Sequence, residues 1–476
     1  MNKCAQVIDH GVRLQKTGMI SLSAAMLVGG YLRLHDISVY GLWSDEAFSL
    51  GVSDPGNTIY EVFTKTVSDV HPAFYQLLLW LVYNAFGAGE WVGRYLSFAF
   101  GVLLIPASFV LGRMLFDVRT GLIVAWLTAV NYFLIGYSRE TRSYELLALL
   151  TVCSFIAFIY VVRTSSWRAL SVYTAFAAML INTHYFGFLP VLCQGLLLLY
   201  FFRVSGFDRG RVLKLFSCMA ILCVSLIPTA RYILINASRK GLWIPEPAQD
   251  FYTGLFSVFF GSQLLAFVFA AAVVVGGVSL SRQKDKADVL GLLCAWCSIA
   301  LVLPYVRSMF SHALLTERNM IVVLPAVLVL VAYALSLLQS WLAGFFLAFF
   351  ILSFSVVPVF HGYAAWPPFA ASQMQDVVRV MVEKKPAFPV YASDDDVAIA
   401  FTALFKLDGY LLTVANLQVL EHDLGSDDPP AQFLLMATLG SNELSEAFLS
   451  KYKIVLTEQV KIGDSQIQTF KLQAPR

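Results

Sequence analysis

Residues 72–86 read Pro72-Ala73-Phe74-Tyr75-Gln76-Leu77-Leu78-Leu79-Trp80-Leu81-Val82-Tyr83-Asn84-Ala85-Phe86, and the placement of this one apolar stretch decides how the rest of the chain is threaded. If it crosses a bilayer, every later loop changes sides. If it lies along the surface, the loops carrying Arg113 and Arg119, Arg163 and Arg168, Arg203, Arg209, Arg211 and Lys214, and Arg282, Lys284 and Lys286 all join the amino terminus with its Lys3, Arg13 and Lys16. Positive residues collect on the cytoplasmic side of membrane proteins, so the second placement is the consistent one. The stretch then reads as a juxtamembrane helix opening at Pro72, where a missing amide hydrogen is tolerated, with an apolar stripe of Phe74, Leu77, Leu78 and Leu81.

The composition points the same way. Of 476 residues, 58% are hydrophobic and only 13% charged, a balance that leaves too little charge to cover a water-soluble surface of this size. Apolar segments at about 18–34, 92–116, 121–137, 144–162, 170–181, 186–202, 213–230, 251–280, 289–306, 320–337 and 341–360 make about eleven candidate spans, the one at 170–181 being short. The first reads as a retained helix rather than a cleaved leader. A net charge of +2 gives no basic patch and no reason to expect nucleic acid. Six of the seven Cys lie in or beside apolar segments, which argues against a disulfide framework, and the Cys294/Cys297 spacing inside a span reads as packing.

Beyond Pro367-Pro368 the polarity becomes ordinary. Strand-like runs at 388–392, 433–436, 453–457 and 467–472 alternate with helix-like runs at 397–406 and 443–452, which predicts a small α/β domain. The expected organisation is therefore a polytopic α-helical membrane domain over 1–362, with juxtamembrane helices in its first exoplasmic loop, and an exoplasmic or periplasmic α/β domain over 363–476. The expected location is a bacterial inner membrane with the amino terminus in the cytoplasm.

With that threading, five polar groups reach one membrane face: Asp45 and Glu46, His71, the turn Ser138-Arg139-Glu140-Thr141-Arg142-Ser143-Tyr144, the turn Thr183-His184-Tyr185, and Glu317-Arg318-Asn319. Ionisable groups at helix ends are costly when turned to lipid, about 2.5–3.5 kcal/mol each at the bilayer centre, so a shared wet cavity is expected. Carboxylates together with Arg and His suit transfer of a sugar from a lipid-linked phosphate. One carboxylate takes the acceptor proton, and cations steady the departing phosphate. Arg139 and Glu317 read as a structural ion-pair pool, and Trp43, Trp91 and Trp243 as an interfacial belt. A transporter or flippase of a lipid-linked sugar is the competing reading, although it calls for charges near the midplane and internal symmetry, neither of which is visible.

The order of these motifs resembles the GT-C glycosyltransferases, in particular the protein O-mannosyltransferase and aminoarabinose transferase branch. The resemblance rests on Trp43-Ser44-Asp45-Glu46-Ala47-Phe48, His71-Pro72-Ala73-Phe74-Tyr75, Gly93-Arg94-Tyr95-Leu96-Ser97 leading to Leu111-Gly112-Arg113, Tyr137 to Tyr144, and Glu317-Arg318-Asn319. It covers roughly 20–360 and is strongest from Trp43 to Leu150. It implies Asp45 as catalytic base with Glu46 and Glu140 in the catalytic group. It also implies a polyprenyl-phosphate-linked sugar donor whose phosphate is held by Arg142 and Arg318, and a sugar or phosphate site lined by His71, Tyr144, His184 and Tyr185. The acceptor is an exoplasmic lipid, glycan or protein. Glu140 matches the acidic position of a Gln-Glu-Ala-Arg variant of the turn, whereas relatives with an Asp two residues after the last Arg differ from this chain, which has Tyr144. No cofactor is required by the resemblance. Mg²⁺ or Mn²⁺ is admitted through Asp45 and Glu46, with Glu140 and His71 as further candidate ligands, but no compact ligand spacing is present.

Overall fold

A computed structural model describes residues 2–35, 37, 41–68, 71–204, 206, 209–238, 246–310, 313–351, 353, 374–384, 388–438, 444–462 and 465–473. Asp36, Trp243, Pro367-Pro368 and the expected boundary at 362/363 lie outside these residues, as do the side chains of Lys3, Cys4, Arg13 and Lys16.

Among the described residues six helices are long and apolar enough to cross a membrane, and six shorter apolar helices accompany them. Among the six, Tyr144–Thr164 is the central one: 78% of its apolar window is buried inside the protein, against 17–39% for the other five. Glu90–Leu115 packs on it and also on Asn2–Leu34 and Val118–Val130. The stretch that decided the threading forms the 13-residue helix Phe74–Phe86. At 1.5 Å per residue this is roughly 20 Å long. It begins at Phe74 rather than Pro72, with Ala73 as the preceding cap residue. Its buried residues are Tyr75, Gln76, Leu79 and Tyr83; of the expected stripe, Phe74, Leu77 and Leu78 are partly buried against apolar clusters and Leu81 is exposed. The loop before it holds two more short helices, Ser44–Val52 and Ile59–Ser68.

Two expected continuous segments are broken. The run 121–137 is divided at Asn131, whose extended backbone ends Val118–Val130 while its side chain caps Tyr132–Tyr137 by accepting from the Leu134 amide at 3.0 Å. The Asn131 amide also donates to the Phe259 carbonyl at 3.0 Å, so the break is tied to a neighbouring helix. The run 251–280 is divided at Gly261, whose φ of +75° favours glycine, and Ser262 caps the helix that follows.

In the carboxy-terminal unit all four expected strands form one sheet in the order β1-β2-β4-β3: β1 Val390–Ala392, β2 Gln432–Thr438, β3 Ile454–Ile462 and β4 Ser465–Leu472. β1 and β2 are parallel and the other pairs antiparallel. Alternate β2 residues face opposite layers. Leu434 and Met436 join Val377, Val378 and Phe401 on one side, and Phe433 and Leu435 join Leu420 and Phe448 on the other. Helices Met374–Lys384 and Leu417–Leu424 were not anticipated. The first of these apolar clusters also contains Leu42, Ala47 and Leu50, so the membrane unit and the carboxy-terminal unit share one core.

Candidate active site

The short helix Ser44–Val52 opens after Trp43 in extended conformation and places Asp45 and Glu46 in its first turn, where exposed amides favour acidic side chains. Successive helical residues point about 100° apart. The two carboxylates therefore serve different neighbours.

Glu46 faces inward and is 1% exposed. Arg94 grips it bidentately, with Nε donating to Oε1 at 2.9 Å and Nη2 to Oε2 at 2.7 Å, and the Thr141 amide donates to Oε1 at 2.8 Å. Arg94 also donates to the carbonyls of Ile37 at 2.8 Å and Gly41 at 3.1 Å. Glycine at position 93 is required for this approach, because a Cβ there would overlap Thr141 and the Tyr83 hydroxyl. The expected catalytic partner of Asp45 is thus fully engaged in joining two helix starts to the 138–143 turn.

Asp45 faces outward and is 27% exposed at its side chain. Arg318 Nη1 donates to its Oδ2 at 2.9 Å, and Arg142 Nη2 lies 3.4 Å from the same oxygen. Arg142 also donates to the Asp45 carbonyl at 3.1 Å and to Ser49 Oγ at 3.2 Å. The Arg318 guanidinium carbon sits 5.8 Å from the Trp43 ring and 5.7 Å from the Tyr144 ring, so two aromatic faces hold a cation. The chain brings Arg318 to Asp45 across 273 residues.

His71 and His184 complete the group with ring centroids 5.2 Å apart, and Tyr144 lies 5.7 Å from His184. Their tautomers follow from their neighbours. Arg142 Nη2 contacts His71 Nε2 at 3.2 Å, and a guanidinium only donates, so the His71 proton is on Nδ1. The Phe186 amide donates to His184 Nδ1 at 3.1 Å, so the His184 proton is on Nε2. Both N–H groups are buried with no hydrogen-bond partner among the described residues. Desolvation holds both imidazoles neutral, reinforced by Arg142 and Arg318; His71 is well below the usual range and His184 is pushed down to about 3.

Glu140 is 5% exposed, and neither carboxyl oxygen has a hydrogen-bond partner among the described residues. Burial first, then the charge of Glu46, pushes it up to about 8. It is a neutral acid at pH 7. Tyr185 begins the 3₁₀ turn Tyr185–Gly187 and is half-buried, Glu317 is exposed, and Arg139 donates to the Leu32 carbonyl. Among the described residues no three His, Cys, Asp or Glu side chains gather on one position, and the two guanidiniums on Asp45 repel a cation.

Several residues of the site were not singled out from sequence. Arg94 stood in a quoted motif without a role. Ser49 and Gln76 link helices, Gln76 Nε2 donating to Ser49 Oγ at 3.0 Å and Ser53 Oγ to Gln76 Oε1 at 2.8 Å. Behind the 138–143 turn, Arg33 donates to Ser138 Oγ at 3.0 Å and to the carbonyls of Ala129 at 2.7 Å and Thr128 at 3.0 Å, while Ser138 Oγ lies 2.9 Å from Glu145 Oε1. The signal for Arg33, Arg94 and Glu145 was a charge inside or beside an apolar segment, which in a membrane protein marks an interior partner.

The helical bundle, its juxtamembrane helices and the polar group at one end define a membrane protein of the GT-C glycosyltransferase fold. The crystal structure of ArnT from Cupriavidus metallidurans in the apo state superposes with a TM-score of 0.62 at 12% identity, covering 96% of this chain and 98% of that one. The archaeal oligosaccharyltransferase AglB from Archaeoglobus fulgidus gives 0.57 at 11% identity, covering 89% and 69%. The mycobacterial arabinofuranosyltransferase AftD gives 0.55 at 12% identity, covering 97% and 42%. Residues 70–232, about a third of the chain, match the family model for dolichyl-phosphate-mannose-protein mannosyltransferases. No curated protein sequence matches it.

Proposed function

We propose that this protein transfers a sugar from a polyprenyl-phosphate donor to a hydroxyl of an exoplasmic acceptor, with inversion at the anomeric carbon and Asp45 as general base. One observation carries the reading: a partly exposed carboxylate stands between two guanidiniums, beside two neutral imidazoles whose N–H groups have no hydrogen-bond partner among the described residues. ArnT of the same fold has also been crystallised with undecaprenyl phosphate, at a TM-score of 0.57 and 15% identity, over 95% of this chain and 97% of that one. Arg142 and Arg318 both occupy Asp45 Oδ2. An arriving phosphate competes for Arg142 and Arg318 and so releases the carboxylate to accept the acceptor's proton as its oxygen attacks. The same cations then balance the charge that develops on the departing lipid phosphate. Neutral His71, His184 and Glu140 supply three hydrogen-bond donors for sugar or phosphate oxygens. Glu46 holds Arg94 and Thr141 in place.

The test is release of polyprenyl phosphate from lipid-linked sugars by purified protein. Asp45→Asn is expected to reduce turnover by about 10²–10⁴-fold while undecaprenyl phosphate still binds. Full turnover by that variant, or sugar-lipid passage across vesicles without bond cleavage, overturns the assignment, the latter in favour of a flippase.

A further inference from the structure

The helix that carries Asp45 is only nine residues long, and a helix of that length holds its shape through packing rather than propensity. On one side Gln76 grips it through Ser49. The other side is closed from the far end of the chain, by helix Asp395–Leu407 of the carboxy-terminal unit. The two helices touch at Gly51, where a Cβ would fall 2.7 Å from Ile399 Cγ2, 2.9 Å from the Ile399 carbonyl oxygen and 3.2 Å from Ala403 Cβ. Ile399 packs on Phe48, Val52 and Val62. Just past the helix end, Lys406 Nζ reaches both oxygens of Asp54, at 2.8 and 2.7 Å.

We propose that helix Asp395–Leu407 is a positioning element for Asp45, which makes the carboxy-terminal unit a working part of the catalytic apparatus. Gly51 lies six residues from Asp45, a lever of roughly 9 Å at 1.5 Å per residue. Any separation of the helices at Gly51 therefore swings the carboxylate against Arg318, and a misplacement of about 1 Å can cost 10²-fold in rate. The inference rests on Asp45 being the base, and the experiment separates the two claims.

In the full-length protein in nanodiscs, Gly51→Val forces the helices apart because the blocking atom includes backbone. The expected result is faster hydrogen exchange across residues 44–53, a fall in kcat of about 10²-fold on an undecaprenyl-phosphate-linked sugar, and unchanged affinity for undecaprenyl phosphate itself. Should that variant not fold, Lys406→Glu and Asp54→Lys serve instead. Each is expected to lower kcat a few-fold, in keeping with an exposed pair, and the charge-swapped double variant is expected to restore it. Unchanged exchange and kcat in the folded Gly51→Val protein, or single charge reversals that change nothing, overturn the proposal. If the wild type turns over no lipid-linked sugar yet exchange responds as expected, the positioning contact stands and the enzyme reading falls.

Discussion

Replacing Glu46 by Gln separates the fold-holding carboxylate from the chemical one. The wild-type carboxylate accepts three charge-assisted or backbone hydrogen bonds, two from Arg94 and one from the Thr141 amide, at 2.7–2.9 Å. A Gln amide offers one oxygen, and its nitrogen would point donors at a donor. Removing one partner of a buried ion pair costs about 3–5 kcal/mol. Arg94 keeps the Ile37 and Gly41 carbonyls and has Glu90 at 4.0 Å, so the low end, about 3 kcal/mol, is expected. At 1.4 kcal/mol per decade that is roughly a 10²-fold drop in the folded-to-unfolded ratio. Thermal unfolding in detergent, read by loss of the monodisperse species, is expected to show a clearly lowered midpoint for Glu46→Gln and little change for Asp45→Asn. The Glu46→Leu/Arg94→Met double variant is expected to be less damaged than either single change, because it leaves no buried charge alone. If Glu46→Gln keeps the wild-type midpoint and loses turnover as Asp45→Asn does, the division of labour drawn here is wrong.

Glu140 has its ordinary pKa of 4.5 raised to about 8, so it is protonated at neutral pH and becomes anionic beside the proposed phosphate position as pH rises through 8; undecaprenyl phosphate affinity should weaken over that step, and Glu140→Gln should flatten it. By linkage the native state holds a proton that the unfolded chain has lost between pH 4.5 and about 8, so stability falls as pH rises across that window and the same substitution removes the slope. His184 has its value lowered from 6.5 to about 3, so the unfolded chain takes up a proton that the native one refuses, and stability is lost as pH falls from 6.5 toward 3. His184→Asn, whose oxygen can still accept from the Phe186 amide, should make that acid limb shallower in a melting series. Gly93→Ala, which drives a methyl into Thr141 and Tyr83, should cost about 1–3 kcal/mol of stability, and a melting midpoint equal to wild type would show that the helix contact is looser than described.

The sequence by itself determined the membrane class, the alternation of apolar segments, a helix over 72–86 and the four-strand unit near the carboxy terminus, because hydropathy and its period are local properties of the chain. It also placed Asp45, His71, Arg142, His184 and Arg318 at one end of the bundle, since loop charge alone assigns a side. Tertiary structure decided what each of them does there. Adjacent Asp45 and Glu46 look equivalent in sequence, yet helical geometry turns one to Arg318 and the other to Arg94, partners 273 and 48 residues away. The break at Asn131 depends on Arg33 and Phe259 accepting or supplying groups from other helices, and the contact of Gly51 with Ile399 joins segments the chain separates by most of the membrane unit. Long-range pairing of this kind is set by which faces pack together, and no local pattern encodes it.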